Sequence, residues 1–393
     1  MIATGLDRIL ERPETLRGRR YGLLAHAASV SASLVPAHLA LAAAGVAPVA
    51  LFGPEHGFYG VEQDMVPAAD RRDPWTGLPI VSLYGADARS LKPRREAFAG
   101  LDLVLIDLQD VGSRYYTYAA TAVWTAEAAI AAGVEAWILD RPNPLGGEAI
   151  EGNLPTAGFE SFVGAFRVPV RHGLTLGEIV RLEGRRRGWS DGCSIVALRG
   201  WRREQIWSDL GRPWIAPSPN MPSPATAAVY PGLCLLEATE VSEGRGTTRP
   251  FLLAGAPWID PPRLARELAA LGHAEVAFVP AYFRPQFQKH RGEICGGVEI
   301  VVRDPRHLAA YRLGVELLAV LATHAPEKFA WRAAPYEFVA DRPAIDLLAG
   351  CETPRRELAD PAALASWIAG WSRDEAEFRE ERRASLLYPE ERA

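Results

Sequence analysis

Three observations predict an α/β fold of two domains. Short apolar segments typical of buried strands alternate with helical segments rich in alanine and leucine. This alternation is typical of βαβ units in a parallel sheet. Charged or amide side chains directly follow several of the predicted strands. The chain also has 393 residues, which is more than one hydrophobic core usually holds, so two domains are expected.

The first half of the chain shows the clearest alternation. Helices are predicted at 34–44 and 118–132, and each ends at a glycine, as helices commonly do. Strands are predicted at residues 21–25, 46–52, 80–84, 101–108 and 135–140. We therefore predict a Rossmann-like N-terminal domain with a mainly parallel sheet over residues 1–215.

The second half has a looser pattern. A Pro-rich stretch at 214–231 is too broken for regular structure, and it marks a domain junction or the wall of a cleft. A smaller α/β C-terminal domain is predicted over 216–393. Further elements on both sides of the Pro-rich stretch are helices at 174–187, 305–323 and 361–384, and strands at 193–198, 274–280 and 297–302.

Composition excludes several classes of protein. The chain is 48% hydrophobic and 23% charged, as in ordinary soluble proteins, and its net charge of −5 gives no reason to expect nucleic acid. It has no run of ~18 apolar residues to span a membrane and no signal peptide pattern, so the expected location is the cytoplasm. The four cysteines lie far apart, so neither a zinc knuckle nor a dense disulfide framework is indicated. Dinucleotide, P-loop and zinc-helix motifs are absent from the sequence.

The most informative segment is the strand-like run at 46–52 and the turn that follows it. The run ends in a Gly-Pro turn that presents Glu55 and His56. In a parallel sheet the loops after the strands line the ligand crevice, where a carboxylate and an imidazole form an acid/base pair. A strand-exit turn whose Glu caps the next helix fits the same pattern, so both interpretations stay open here.

Other polar side chains also follow predicted strands. If these strands are parallel, the side chains gather along one edge of the sheet, and together they indicate a site. Taken singly, Asp107 and Asp140 fit a structural role in bonding backbone N–H groups. The polar side chains in these positions are His26, Asp107, Gln109, Asp110, Arg114, Asp140, Arg141 and Asn143.

Two loops in the second half have candidate binding groups. The loop at 240–251 combines carboxylates, hydroxyls and guanidiniums, and it suits an anionic, hydroxyl-rich ligand because Arg binds carboxylates bidentately. An internally salt-bridged turn is the alternative. In the loop at 218–224, prolines fix Asn220 as a donor and acceptor for an acetamido or hydroxyl group, and a purely structural turn is equally compatible.

Paired carboxylates are also the usual requirement of glycoside hydrolysis, in which one protonates the leaving oxygen and the other attacks or activates water. The candidates for this pair are Glu55, Asp107, Asp110, Glu240 and Glu243.

Several long motifs resemble those of a known family. They are LFGPEHGF at 51–58, DLQDVGSRYYTY at 107–118, LDRPNPLGG at 139–147, PVRHGLTLGE at 169–178, SPNMP at 218–222, YPGLCLLE at 230–237 and SEGRGTTRPF at 242–251. In this order they closely resemble the bacterial exo-β-N-acetylmuramidases, a glycoside hydrolase family formerly described as a domain of unknown function. The resemblance runs from about residue 22 to 388.

The resemblance implies a fold, an activity and a substrate. It implies a Rossmann-like N-terminal domain, a second domain and an active site in the cleft between them. The implied activity is exo-acting release of β-linked N-acetylmuramic acid from the non-reducing ends of peptidoglycan fragments, without a cofactor. Many relatives begin with an export signal, which this sequence lacks, and this departure favours recycling of imported fragments.

Residue roles carry over by motif. Glu55 is the implied general acid with His56 beside it, and Asp110 or Glu243 is the second carboxylate. The substrate's acetamido group is an alternative nucleophile. The arginines suit the lactyl carboxylate of muramic acid, and Asn220 suits its acetamido group. The full set of implied substrate-binding residues is His26, Asp107, Arg114, Tyr115, Asn143, Asn220, Arg245, Thr248 and Arg249.

Two alternative functions remain at this point. The first is a non-catalytic protein that binds peptidoglycan fragments without turning them over. The second is a metal-dependent hydrolase built on His26, His56, Asp107 and Asp110, although their spacing matches no known metal motif.

Overall fold

Two sheets organise the protein, which is described here from a computed structural model covering residues 2–63, 66–189 and 191–390. Seven strands form the larger sheet, in which all neighbouring strands are parallel except at one edge. Three strands form the smaller, antiparallel sheet. The predicted α/β class, with a mainly parallel sheet and a smaller second α/β part, is confirmed.

The larger sheet has the strand order β3-β4-β2-β1-β5-β6-β7. The central strands β1 and β5 are completely buried, as expected for parallel strands covered on both faces. In chain order the elements of this part are α1 (Gly5–Glu11), β1 (Tyr21–Ala25), α2 (Ala37–Ala43), β2 (Ala50–Gly53), β3 (Arg71–Arg72), β4 (Pro79–Ser82), β5 (Leu103–Asp107), α3 (Tyr118–Ala131), β6 (Glu135–Leu139), α4 (Leu176–Arg187) and β7 (Cys193–Val196).

Most predicted elements of this part are observed, with shifts of a few residues at their ends. Helix α1 was not predicted; it begins with a capping box between Thr4 and Asp7. Strands β1, β2, β5 and β6 are parallel neighbours, so the polar residues that follow them lie together at the carboxyl ends of the strands.

The Pro-rich stretch contains regular structure, so the prediction of none over 214–231 is wrong for its second half. Helix α5 (Pro224–Leu233) begins where the Ser223 hydroxyl accepts a hydrogen bond from the Thr226 N–H at 3.1 Å. Proline is tolerated at the first helical position because its missing N–H has no helical partner there. A 3-10 helix continues this path over Cys234–Ala238.

The C-terminal part surrounds the smaller sheet, whose strand order is β8-β10-β9. Pro280 lies in β9, which is an edge strand. Proline is tolerated in edge strands because one side of such a strand has no neighbouring strand to bond. Helices α6, α8 and α9 were not predicted. The elements of this part are β8 (Leu253–Ala256), α6 (Pro261–Ala269), β9 (Val276–Phe283), β10 (Cys295–Val302), α7 (Ala310–His324), α8 (Ala344–Ala349), α9 (Thr353–Glu357) and α10 (Pro361–Arg382).

The end of the chain returns to the larger sheet. The Tyr388 hydroxyl donates to Oδ2 of Asp140 at 2.6 Å and accepts from the Leu198 N–H at 2.8 Å. Arg382 at the end of α10 donates to the carbonyl of Gly173 at 3.0 Å. The end of the C-terminal part therefore packs against the larger sheet, in addition to the covalent connection through the Pro-rich stretch. Among the described residues, no helix is both long and apolar enough to cross a membrane.

Candidate active site

A pocket lies where the loops after β2 and β5 meet the C-terminal part. Both parts of the chain contribute to its walls. The aromatic rings of Tyr115, Tyr116, Tyr230 and Phe251 form part of the lining. The charged and amide side chains in the lining are Glu55, His56, Asn220, Glu237, Arg245 and Glu337.

Glu55 lies on the wall formed by the larger sheet, directly after β2. A Cβ atom on Gly53 would lie 2.6 Å from the backbone nitrogen of Phe58, so only glycine allows the turn to fold back this closely. The Thr117 hydroxyl donates a hydrogen bond to Oε2 of Glu55 at 2.6 Å. Glu55 is only 5% exposed, so this bond fixes a buried carboxyl group at the pocket wall.

His56 adopts a backbone conformation that non-glycine residues rarely use, with a φ of 67°. Its Nδ1 lies 3.0 Å from the carbonyl oxygen of Glu62, which ties the turn to the segment that follows it. A strained residue next to Glu55 is the kind of outlier that clusters at functional sites.

Arg245 and Glu237 lie on the wall formed by the C-terminal part. Arg245 Nη2 donates to Oε1 of Glu237 at 2.7 Å, and the Tyr336 hydroxyl donates to Oε2 of the same carboxylate at 2.8 Å. The guanidinium lies over the ring of Phe251, 5.2 Å from its centroid. These contacts hold Arg245 in one orientation at the pocket surface.

Glu243 supports this arrangement from behind the lining. Its Oε2 accepts a hydrogen bond from Lys289 Nζ at 2.8 Å, and its Oε1 lies 3.4 Å from Nε of Arg245. With Glu237, the cluster contains two carboxylates and two cations, so their charges balance. Balanced, hydrogen-bonded pairs are the form in which charges are tolerated in a protein interior.

Asn220 and Tyr115 also line the pocket. The Asn220 Nδ2 donates to Oε1 of Gln63 at 2.9 Å. Tyr115 is buried, and its ring meets that of Tyr230 edge-on. Burial raises the pKa of Tyr115 well above its ordinary value, so its phenol is neutral at physiological pH.

His26 is buried beneath the pocket and connects three segments. Its Nε2 accepts a hydrogen bond from the Gln109 N–H at 2.8 Å, so the network assigns the proton to Nδ1, which lies 3.1 Å from the Pro217 carbonyl oxygen. Burial, and secondarily the positive charge of Arg141, lower the pKa of His26 to about 3. The ring is therefore neutral, and it joins β1 to the loop after β5 and to the linker.

Asp107, the last residue of β5, lies in an ion pair rather than at the pocket. Arg141 donates to its two carboxylate oxygens from Nε at 2.6 Å and from Nη2 at 2.8 Å. Asp107 is fully buried, and burial raises the pKa of its carboxyl group despite the neighbouring guanidinium. This pair joins the ends of β5 and β6.

Asp110 and Asn143 are engaged in loop structure close by. Asp110 Oδ2 accepts from the Gly112 N–H at 2.7 Å and lies 3.6 Å from Nε2 of His172. Asn143 donates to the Leu174 carbonyl at 2.9 Å and accepts from the Leu145 N–H at 2.9 Å. Neither is part of the pocket lining.

The remaining predicted residues are distributed elsewhere. Arg114 donates from its two terminal nitrogens to four backbone carbonyls, at distances of 2.8–3.0 Å. These carbonyls belong to Asn153, Val168, Leu348 and Ala349, so Arg114 connects the loop after β5 to helix α8. Arg249 is exposed and forms an ion pair with Glu299, and Thr248 is exposed on the same loop.

The polar residues of the lining that were not predicted include Thr117, Glu237, Tyr336 and Glu337. Thr117 and Glu237 lie within the motifs at 107–118 and 230–237, so those motifs contain the signal for them. No local pattern marks Tyr336 and Glu337. The structure therefore brings Glu55, His56, Tyr115, Asn220 and Arg245 together at the pocket, and places the other predicted residues outside its lining.

Two of the four residues proposed for a metal, His26 and Asp107, are fully engaged in protein contacts. His26 is bonded through both ring nitrogens, and Asp107 is bonded through both oxygens. Within the described ranges 2–63, 66–189 and 191–390, no group of three or more His, Cys, Asp or Glu side chains is arranged to hold a metal ion.

The fold and the pocket together define a chemical class. One wall presents a carboxyl group fixed by a hydroxyl, the other presents a guanidinium fixed by carboxylates, and aromatic rings complete the lining. Carboxyl groups are the catalytic groups of most glycoside hydrolases, and aromatic rings offer apolar faces to sugars. This is an α/β protein with a site of glycoside hydrolase type.

Comparison with known families identifies the particular family. Two family models, described as the N-terminal and C-terminal parts of the exo-beta-N-acetylmuramidase NamZ, match residues 21–225 and 228–388. The chain therefore belongs to the exo-β-N-acetylmuramidase NamZ family, and the resemblance drawn from its motifs is confirmed.

Individual relatives are similar over nearly the full chain. The chain is 35% identical over 389 residues to the peptidoglycan beta-N-acetylmuramidase NamZ of Bacillus subtilis (strain 168), and the match covers 98% of this chain and 91% of that protein. Crystal structures of two DUF1343 family proteins from Bacteroides fragilis NCTC 9343 have TM-scores of 0.87 and 0.75, at 29% and 25% identity. Each covers 99% of both chains.

Proposed function

We propose that this glycoside hydrolase releases β-linked N-acetylmuramic acid from the non-reducing ends of peptidoglycan fragments, with Glu55 as the general acid. The observation that carries the proposal is that Glu55, from the loop after β2, and Arg245, from the C-terminal part, line the same pocket. The name of the relative from Bacillus subtilis, a peptidoglycan beta-N-acetylmuramidase, supports the same substrate class.

Glu55 is suited to protonate the glycosidic oxygen. As the bond from C1 to that oxygen breaks, the carboxyl group gives its proton to the leaving sugar, and positive charge develops at C1 and the ring oxygen. Thr117 holds one carboxyl oxygen at 2.6 Å, so the group is positioned before substrate binds. Positioned acid catalysis of this kind contributes roughly 10²–10⁴-fold to the rate.

Arg245 is suited to recognise the lactyl group. Muramic acid differs from glucosamine by a lactyl ether at C3 that ends in a carboxylate, and a guanidinium binds a carboxylate through two parallel hydrogen bonds. Glu237 and Phe251 fix the plane of the guanidinium. Glu243 and Lys289 complete the charge balance behind it, which is the role we assign to Glu243 in place of a catalytic one.

We propose that the substrate's own acetamido group supplies the nucleophile. Of the other two carboxylates in the lining, Glu237 is engaged by Arg245 and Tyr336, and Glu337 accepts a hydrogen bond from the Tyr84 hydroxyl. Asp110 and Glu243 lie outside the lining. Substrate-assisted glycosidases use the acetamido oxygen in this way. We assign the orientation of that group to Asn220, which lines the pocket.

The test is incubation of the purified protein with the disaccharide N-acetylmuramic acid-β-1,4-N-acetylglucosamine in the presence of a chelator, followed by mass spectrometry. Both free monosaccharides are expected. An intact disaccharide that stays bound would indicate a binding protein, and cleavage only after divalent ions are added back would indicate a metal-dependent hydrolase. Either result refutes the proposal.

The residue assignment is tested with Glu55→Gln, which keeps the size of the side chain but removes the acidic proton that the carboxyl group would donate. We expect kcat to fall by about 10²-fold or more. The matched control is Glu135→Gln. Glu135 is exposed and is the first residue of β6, so it lies at the amino ends of the strands, away from the pocket at their carboxyl ends. Near-normal turnover by Glu55→Gln would remove Glu55 from the role of general acid.

A further inference from the structure

The turn at Tyr336–Val339 has an unusual backbone. Its two central residues, Glu337 and Phe338, have φ values of 46° and 67°, a region that residues other than glycine, asparagine and aspartate rarely adopt. Tyr336 and Val339 exchange backbone hydrogen bonds of 3.0 and 2.9 Å across the turn. Hairpin turns with two such residues usually contain Asn-Gly, so the backbone alone does not explain Glu and Phe here.

The side-chain contacts of Glu337 and Phe338 account for the presence of these two residues in the turn. Glu337 is 6% exposed and lines the pocket. Tyr84, itself buried, donates from its hydroxyl to Oε2 of Glu337 at 3.3 Å, and its ring packs against Phe338 at a centroid distance of 5.6 Å. Because unfavourable backbone conformations persist at functional sites, a strained turn that carries a carboxylate to the pocket wall indicates a ligand for that carboxylate.

The neighbours of Glu337 indicate which part of the sugar it meets. Tyr336, the preceding residue, donates to Glu237, which in turn binds Arg245. If Arg245 binds the lactyl carboxylate at C3, the two neighbouring ring carbons are C2 and C4. Asn220 is assigned to the acetamido group on C2, so we assign Glu337 to the side of C4. Glu55 acts at C1, which is across the ring from C4, and it enters the pocket from the larger sheet, whereas Glu337 enters it from the C-terminal part.

We propose that Glu337 accepts a hydrogen bond from the 4-hydroxyl of the terminal sugar, and that this contact restricts the enzyme to non-reducing ends. This inference rests on the function proposed above. An ionised carboxylate only accepts hydrogen bonds, so it pairs with a 4-hydroxyl. A residue within a chain is substituted at O4, so it has no 4-hydroxyl to donate, and its next sugar would meet the Tyr336–Val339 turn.

The test compares 4-nitrophenyl β-N-acetylmuramide with its 4-deoxy and 6-deoxy analogues. For the wild-type enzyme we expect kcat/KM to be about 10- to 100-fold lower on the 4-deoxy analogue, which is the effect of losing a hydrogen bond to a charged group. The 6-deoxy analogue should be little changed. In Glu337→Ala, the parent compound and the 4-deoxy analogue should be cleaved at nearly equal, low rates.

The control is Glu327→Gln, which makes a similar change of charge at an exposed site in the same part of the chain and should keep the wild-type pattern. Equal rates of the wild-type enzyme on the parent and the 4-deoxy analogue would overturn the inference, and this comparison needs no variant to fold. Full discrimination in Glu337→Ala would also overturn it. Failure of the wild type to cleave even the parent would instead refute the proposed function, and this inference with it.

Discussion

The buried, neutral His26 makes a quantitative prediction about stability in acid. In the folded protein its pKa is lowered to about 3, against an ordinary value of 6.5. Above pH 6.5 neither state binds a proton at this ring. Between pH 6.5 and 3, the unfolded chain binds one proton more than the folded chain does. The contribution of His26 to stability is therefore complete above pH 6.5 and is lost as the pH falls toward 3.

The size of this effect follows from the shift. One pKa unit corresponds to about 1.4 kcal/mol, so acidification from pH 6.5 to 4 should lower the free energy of unfolding by about 3 kcal/mol through His26 alone. This is a large part of the 5–15 kcal/mol that is typical of folded domains. Asp140 acts in the opposite sense, because burial raises its pKa from 3.8 to about 6 and the folded state then binds the additional proton.

Since the two groups offset each other between about pH 4 and 6, the assay compares the wild type with His26→Gln, in which Asp140 is unchanged. Gln can accept and donate hydrogen bonds but does not titrate. Urea unfolding followed by tryptophan fluorescence at pH 7, 6, 5 and 4 gives both free energies. The stability advantage of the wild type should shrink by about 3 kcal/mol between pH 6.5 and 4. An advantage that is constant with pH would refute the reasoning.

Two further predictions concern the pocket. Thr117→Val removes the hydroxyl that holds Glu55 at 2.6 Å, so kcat should fall about tenfold; Thr125→Val is the control, because the Thr125 hydroxyl has no partner among the described residues. Equal losses of kcat in both variants would contradict the role of the hydroxyl. Arg245→Lys keeps the charge but loses the planar pair of donors, so the preference for 4-nitrophenyl N-acetylmuramide over the N-acetylglucosaminide, measured as a ratio of kcat/KM values, should fall about tenfold. An unchanged ratio would mean that another group recognises the lactyl carboxylate.

The sequence predicts the larger sheet and one wall of the pocket because both depend on local signals. An apolar run that ends in Gly-Pro is sufficient to locate β2 and the turn that presents Glu55. The same type of signal does not separate binding residues from structural ones. Asp107 also ends a strand, but its side chain faces Arg141 instead of the pocket, and the direction of a side chain depends on one residue of register.

The other wall could not be predicted because it depends on contacts between distant residues. Tyr336 and Glu237 are 99 positions apart, and they meet only when the C-terminal part packs on the 3-10 helix at Cys234–Ala238. A positive φ at Glu337 is also contrary to its local preference, so tertiary packing must impose it. The prediction of no regular structure in the Pro-rich stretch was wrong for a different reason. Proline interrupts a helix in its interior, but Pro224 is the first residue of α5, where proline is tolerated.

The hydrogen bonds from Arg114 to four backbone carbonyls have a consequence for the synthesis of the protein. Leu348 and Ala349 supply two of its carbonyl partners, and they follow Arg114 by 234 and 235 positions in the chain. The larger sheet can assemble while translation continues, because domains generally fold as units from the N-terminus. The sugar site needs residues that leave the ribosome much later. A nascent chain that has not yet reached Tyr336 and Glu337 therefore has only the wall formed by the larger sheet and part of the second wall.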